Sequence, residues 1–254
     1  MKNVEIIMYE TIRKKLVEKI LTVSSVCQEG HIGSSLSVLD ILYGIYGNMN
    51  MNDRFVLSKG HASLGLYMIM EHYSILQDDV FSFCKFESNL GGHPSSTSIP
   101  SISCSTGSLG HGFPFALGMA MSKKIKKEDG RVFCIIGDGE ANEGTVWETA
   151  LIAAHQKMNN FCTILDQNHS SDRALNTGDI LQKFKSFGWH CSEIDGHNLE
   201  EITKAISIEN DKPQFILANT IKGKGCKIME NNPEWHHKFP NSEQLNSMIG
   251  DLYE

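Results

Sequence analysis

The chain has 254 residues, of which 41% are hydrophobic and 21% charged, the composition of a soluble globular protein long enough to bury a sizeable core as one α/β domain spanning 1–254. A formal net charge of -7 argues against a general nucleic-acid binder, whose affinity comes from neutralising phosphates. No apolar run is long enough to span a bilayer, and the start Met1-Lys2-Asn3-Val4-Glu5 lacks the charged-then-apolar pattern of an export signal, so a cytoplasmic location is expected.

Residues 5–27 read as an amphipathic helix carrying Ile6, Ile7, Ile12, Leu16, Ile20, Leu21 and Val23. Gly30 and Gly33 break it, and a second helix is expected from Ser34 to Tyr46. Phe55-Val56-Leu57 is a short strand that runs into Ser58-Lys59-Gly60-His61, followed by an apolar helix from Leu64 to Met70. The stretch from Ser88 to Gly112, rich in Gly, Ser and Pro, is a long loop of the kind that usually serves function. A helix from Phe113 to Lys126 follows. Strands at 132–136, 161–165, 190–194 and 214–218 then alternate with helices at 145–157, 180–187 and 199–206. These strands are short continuous apolar runs, which predicts a parallel sheet with helices on both faces. Neither an internal repeat nor an interdomain linker interrupts the pattern.

The seven cysteines (27, 84, 104, 134, 162, 191 and 226) are odd in number and widely spaced, without a CxxC pair. They suit neither a disulfide framework nor a zinc site. Cys134 and Cys162 fall inside apolar runs and read as buried free thiols.

The most informative segment is Gly137-Asp138-Gly139, followed after 28 residues by Asn168. Alone, Gly-Asp-Gly is more often a turn than a site. Here Asp138 and Asn168 each stand just past a strand, and a right-handed crossover makes those two strands parallel. Both side chains then emerge at the carboxyl edge of the sheet, where open α/β folds bind ligands. A carboxylate and an amide carbonyl are hard oxygen donors suited to Mg²⁺ or Ca²⁺, with room left for phosphate oxygens. Gly139 leaves space for a phosphate, and a following helix is expected to present its positive N-terminus to it.

Eleven histidines are many for this length, and four stand in glycine-flanked loops: His31, His61, His93 and His111. His236 and His237 adjoin Trp235. Imidazole donates to phosphate, carries protons near neutrality and bonds sugar hydroxyls. Any single loop histidine is as readily structural as functional, whereas four beside a metal–phosphate constellation favour function.

The span GDGEANEGTVWETALIAAHQKMNNFCTILDQN resembles the thiamine diphosphate motif, and its Glu143-Gly144 and Glu148 resemble the transketolase version. GHIGSSLSVLDIL (30–42), DRFVLSKGHASLGLY (53–67), GGHP (91–94), TGSLGHGFPFALGMA (106–120), ANTIKGKG (218–225) and MENNPEWHHKFP (229–240) are similar to the remaining blocks of split transketolases, in that family's order. The resemblance covers nearly the whole chain and implies the diphosphate-binding (PP) fold, thiamine diphosphate with Mg²⁺ (or Ca²⁺), and transfer of a two-carbon ketol unit from a ketose or ketose phosphate to an aldose.

Carried over by position, the resemblance implies a metal held by Asp138, Asn168 and the backbone carbonyl of Ser170. Gly137, Gly139, Gly107, Leu109 and Ile221 would contact the cofactor. His61 and His236 would serve its diphosphate and the reacting end of the substrate. His31 and His93 would line the sugar channel, and Glu143 would join a carboxylate network across a subunit interface. Two positions depart from the pattern: His111, where full-length transketolases usually carry Gln, and His237, where Gly usually follows Trp-His. His72, His155, His169, His190 and His197 read as surface or structural.

The resemblance assigns activation of the cofactor's aminopyrimidine to a glutamate on a pyrimidine-binding domain that follows this region in full-length transketolases and is expected on a separate chain here. The four arginines of this chain, Arg13, Arg54, Arg131 and Arg173, form no phosphate cluster. A C-terminal partner subunit is therefore expected, in an α2β2 assembly. The alternatives are half of a deoxyxylulose-phosphate-synthase-like enzyme, half of a 2-oxo-acid decarboxylase, or a non-catalytic diphosphate-binding regulatory subunit. The four loop histidines favour sugars over simple 2-oxo acids.

Overall fold

The computed structural model describes residues 2–171 and 175–253, with side chains from Met8 onward. Arg173 and the side chains of Ile6 and Ile7 lie outside the described residues. The elements, in chain order, are α1 (Lys2–Cys27), α2 (Ile32–Ser37), α3 (Leu39–Asn48), β1 (Arg54–Leu57), α4 (Ser63–His72), α5 (Gly112–Lys126), β2 (Val132–Gly137), α6 (Gly144–His155), β3 (Phe161–Gln167), α7 (Ile180–Phe187), β4 (His190–Asp195), α8 (Leu199–Ile206), β5 (Gln214–Asn219) and α9 (Ser242–Tyr253).

The five strands form one sheet in the order β1-β2-β3-β5-β4, and every neighbouring pair is parallel. Alternate residues of each strand serve opposite faces, as the pleat requires. Phe133, Ile135, Cys162, Ile164 and Ile216 join one core with α1, α3, α4, α8 and α9. Val132, Cys134, Ile136, Phe161, Leu165 and Phe215 join the other with α5, α6 and α7. Both faces are therefore covered, and each fully buried Ile or Leu contributes about 1.5–3 kcal/mol. Cys134 and Cys162 are buried free thiols, as their apolar surroundings predict.

Local chemistry sets several boundaries. Asp179 accepts from the amide of Gln182 at 2.8 Å to cap α7, and Gly188 ends that helix at φ 103°. Asn198 accepts from the amides of Glu200 and Glu201 to start α8.

The helix expected from Ser34 to Tyr46 is broken at Val38 into α2 and α3. At the break the Ser37 hydroxyl lies 3.1 Å from the Ser34 carbonyl of its own helix and 2.7 Å from the buried Asp166 carboxylate, to which it donates. The pattern of the sequence does not announce α9, which docks on α1 and buries only Met248 and Leu252, too sparse a spacing for periodicity to reveal.

Candidate functional site

All five strands point their carboxyl ends to one edge, and four of them deliver polar residues to the same place. β1 runs into Ser58 and Lys59, β2 into Asp138 and Glu140, β3 ends at Asp166 and leads to Asn168, and β5 leads to Thr220 and Lys222. These eight residues are almost entirely buried.

At the centre, Asp166 has no exposed surface. It pairs with Lys59 Nζ, and it accepts from the Thr220 hydroxyl, from Ser37 Oγ at 2.7 Å and from Asn168 Nδ2 at 3.0 Å. Burial pushes its carboxyl up, but Lys59 and the two hydroxyls outweigh that and leave it below the usual carboxylate range. Because Asp166 takes the amide nitrogen of Asn168, the amide oxygen is aimed the other way, toward Asp138.

The Ser170 amide donates both to Asp138 Oδ2 at 3.0 Å and to Asn168 Oδ1 at 3.2 Å, so these two oxygens converge on one point. Asp138 also accepts from the Gly139 amide at 2.6 Å. Burial raises the Asp138 carboxyl above its usual range despite the pull of Lys59. The donors gathered here are one carboxylate and one amide oxygen beside the backbone of Ser170, a hard oxygen set that fits a magnesium-like cation keeping further positions for phosphate. Among the described residues, no cluster of three or more His, Cys, Asp or Glu competes as a metal cage.

Gly139–Asn142 form one 3-10 turn, and α6 starts at Gly144, one residue before the expected start of that helix. The turn is held by Glu140, whose buried carboxylate takes the Ser58 hydroxyl, the Gly110 amide at 2.9 Å and the Gly137 amide at 3.2 Å. Buried cations stand at the same edge. Lys222 is buried and donates to His236 Nδ1 at 2.9 Å, which puts the His236 proton on Nε2. Burial first, and then the neighbouring Lys59 charge, lowers the Lys222 pKa.

The histidine loops meet above this floor. The His31 ring centroid lies 5.6 Å from His61, 5.7 Å from His236 and 4.4 Å from His237. Burial, followed by the neighbouring imidazoles His237, His236 and His93 and by Lys222, lowers His31 to about 4. Burial and Lys59 lower His61 further, to about 2. Both rings are neutral at physiological pH.

Glycines let these loops touch. A Cβ at Gly60 would fall 2.7 Å from Thr106 Oγ1 and 3.0 Å from the Gly107 amide, and a Cβ at Gly107 would press on the His93 ring at 3.3 Å. Leu109 and Ile221 are half-buried, and Ile221 donates its amide to His197 Nε2 at 2.8 Å.

Asp138, Asn168, Ser170, His31, His61, His93 and His236 thus come together. Glu143 stands apart, exposed beside Gly110 at the start of α6. His111 is exposed, with Nδ1 on the Leu109 carbonyl at 3.0 Å. His197 is structural, as expected, bonded to Asp40 at 2.6 Å. Arg13 pairs with Asp40, Arg54 bonds the Asp53 carbonyl and Arg131 bonds Gln214, so none of these three serves the site.

Sequence reasoning misses Lys59, Asp166, Glu140 and Lys222. A signal for Asp166 is present: a carboxylate closing the apolar run Thr163-Ile164-Leu165 must be buried, and a buried charge requires a partner.

The sequence pattern of the family described as "Transketolase, thiamine diphosphate binding domain" matches residues 9–247, and the chain belongs to this family. It is a thiamine diphosphate-binding chain of a transketolase-type transferase. Its similarity extends nearly end to end to a subunit of the apulose-4-phosphate transketolase of Phocaeicola vulgatus, 33% identical over 95% of this chain and 91% of that protein. The subunit of the same description from Actinobacillus succinogenes is also 33% identical, over 96% and 94%. Human transketolase is 39% identical over 80% of this chain but only 33% of its own length. The solved transketolase of Campylobacter jejuni superposes with a TM-score of 0.83 at 27% identity, over 95% of this chain and 42% of that one. The chain thus matches a transketolase subunit nearly end to end and spans about two fifths of a solved transketolase.

Proposed function

We propose that this chain holds thiamine diphosphate through a divalent metal, Mg²⁺ or Ca²⁺, at Asp138, Asn168 and Ser170. With a C-terminal partner carrying the pyrimidine-binding domain, it transfers a two-carbon ketol unit from a ketose or ketose phosphate to an aldose. The observation that carries this reading is the convergence of Asp138 and Asn168 oxygens at adjacent parallel strand ends, beside two buried lysines and beneath the histidine loops.

When bound, thiamine diphosphate supplies the nucleophilic carbon and the electron sink for cleaving a carbon–carbon bond beside a carbonyl. The protein's part is to bind, orient and move protons. Lys59 and Lys222 offset the diphosphate charge. Gly137 and Gly139 leave the strand end open, and Gly107, Leu109 and Ile221 line the cofactor's flank. His236, with its proton on Nε2, donates toward the diphosphate side, together with His61. His31 and His93 exchange protons with substrate hydroxyls. A neutral His31 can both accept and donate across the physiological range.

The partner requirement is supported by exposed large apolar side chains on neighbouring helices, Phe115 on α5 and Leu151 and Ile152 on α6. A partner covering them, in an α2β2 assembly, would place the exposed Glu143 at the junction. Residues 1–254 then act as one PP-type domain. No described helix is long and apolar enough to cross a membrane, and the unpaired cysteines suit the reducing cytoplasm.

Calorimetric titration of thiamine diphosphate with Mg²⁺ into this chain, alone and with its partner, tests the reading. Magnesium-dependent binding that becomes tight only in the pair supports it. The absence of binding in both states refutes it.

A further inference from the structure

We infer that His237 is a specificity-determining residue, which together with His31 forms a paired-imidazole wall that reads two adjacent hydroxyls of the sugar donor. This rests on the function proposed above.

The placement of His237 is built into the backbone. Its segment lies directly on the His31 loop: a Cβ on Gly30 would meet Lys238 N at 2.8 Å, His237 C at 2.9 Å and His237 Cα at 3.1 Å, so only glycine admits this approach. His31 itself is held in the left-handed region at φ 62°, uncommon for a residue with a side chain, at the mouth of α2. The outcome is a ring pair at 4.4 Å and 55°, closer than any other histidine contact around His31. Nothing fits between rings at this separation, so they act as one surface with two nitrogen-bearing edges.

His237 is exposed and His31 is half-buried, so the wall runs from the solvent side inward to the half-buried His61, with the exposed His236 beside it. The charged or titratable groups facing His31 are His237, His236, His61, His93 and Lys222. All are basic, which disfavours a proton on His31. Each neutral imidazole offers one donor and one acceptor, the complement of a hydroxyl. Two such edges side by side match a vicinal diol rather than a single hydroxyl. Glycine at position 237 would leave His31 to read one hydroxyl alone.

The test is steady-state kinetics of the complex of this chain with its partner, using xylulose 5-phosphate and fructose 6-phosphate as diol donors and hydroxypyruvate as a donor with one hydroxyl. His237→Gly and His237→Phe should raise KM for the diol donors about five- to tenfold, the range of one or two lost hydrogen bonds, with kcat changed much less. KM for hydroxypyruvate should stay put, and His237→Asn, which restores a donor and an acceptor, should recover most of the loss. A His237→Phe variant with wild-type KM for the diol donors would show that the ring only covers His31 and would overturn the inference. So would equal KM increases for all three donors. If the wild-type pair binds thiamine diphosphate yet turns over none of them, the transketolase reading itself fails and takes this inference with it.

Discussion

Lys59 and Asp166 form an ion pair with 1% and 0% of their side chains exposed, at the carboxyl ends of β1 and β3 with β2 lying between them. Neither charge can be solvated alone. Lys59→Met would leave Asp166 with hydroxyl and amide donors but no cation. The expected cost is about 3–5 kcal/mol, the range for breaking a buried pair from one side. Asp166→Asn should cost a similar amount and also free the Asn168 amide to rotate. Chemical denaturation of each variant measures the loss, and a change below about 1 kcal/mol in both would contradict this account.

Asp138 differs from Asp166 in that burial lifts its pKa and no lysine bonds it directly. Its charge is a liability until a cation arrives. Asp138→Asn is therefore expected to leave the stability of the cofactor-free chain unchanged or slightly raised, while abolishing magnesium-dependent binding of thiamine diphosphate. Thermal melting with and without cofactor and Mg²⁺ separates the two effects: the wild type gains Tm on addition and the variant does not.

The sheet is readable from sequence because β1, β2, β3 and β5 carry continuous apolar runs of the right length, the edge strand β4 being mostly polar, and Asp138 and Asn168 are readable because each follows such a run. The break at Val38 is not, and the adjoining Ser37 is bonded to Asp166, a partner 129 residues away. The roles of Lys59 and Lys222 are hidden for a similar reason. A lysine in a glycine-rich loop ordinarily faces solvent, and only the pairing of Lys59 with Asp166 and the packing of Lys222 over Gly33 hold these two inside. His237 stands out as a departure from a family pattern, but its contact with His31 depends on the backbone approach over Gly30.

Acid should weaken the fold in a defined window. His31 is lowered to about 4 and His61 to about 2 from a usual 6.5, so below pH 6.5 the unfolded chain takes up protons that the native chain refuses. Stability contributed by the neutral rings is complete above pH 6.5 and is lost as pH falls toward 4. Asp40 and Asp166, both held below the carboxylate range, add a further loss at still lower pH. Asp138 and Glu140, raised by burial, act in the opposite sense. The histidine effect should show as a Tm that declines more steeply below pH 6.5 than above it in the cofactor-free chain. His61→Gln, which cannot titrate there, should flatten that slope, and an unaltered slope would exclude His61 as a source.

His197 connects the site to the rest of the fold. Its Nδ1 lies 2.6 Å from Asp40, which also takes Arg13 Nε at 2.6 Å and the Tyr9 hydroxyl, and its Nε2 accepts the Ile221 amide at 2.8 Å. The proton must therefore sit on Nδ1, and α1, α3 and the loop carrying Ile221 and Lys222 are joined through one ring. His197→Ala would strip the acceptor from the Ile221 amide and one donor from a fully buried carboxylate, at a cost of about 1–3 kcal/mol. Because Ile221 and Lys222 move with this loop, thiamine diphosphate affinity should fall as well, although His197 touches neither cofactor nor substrate. His197→Gln retains one donor and one acceptor and should recover part of the affinity. Calorimetry on the Ala and Gln variants decides the point: affinity that falls in Ala and partly returns in Gln marks His197 as a positioning residue, whereas a stability loss with unchanged affinity confines it to the core.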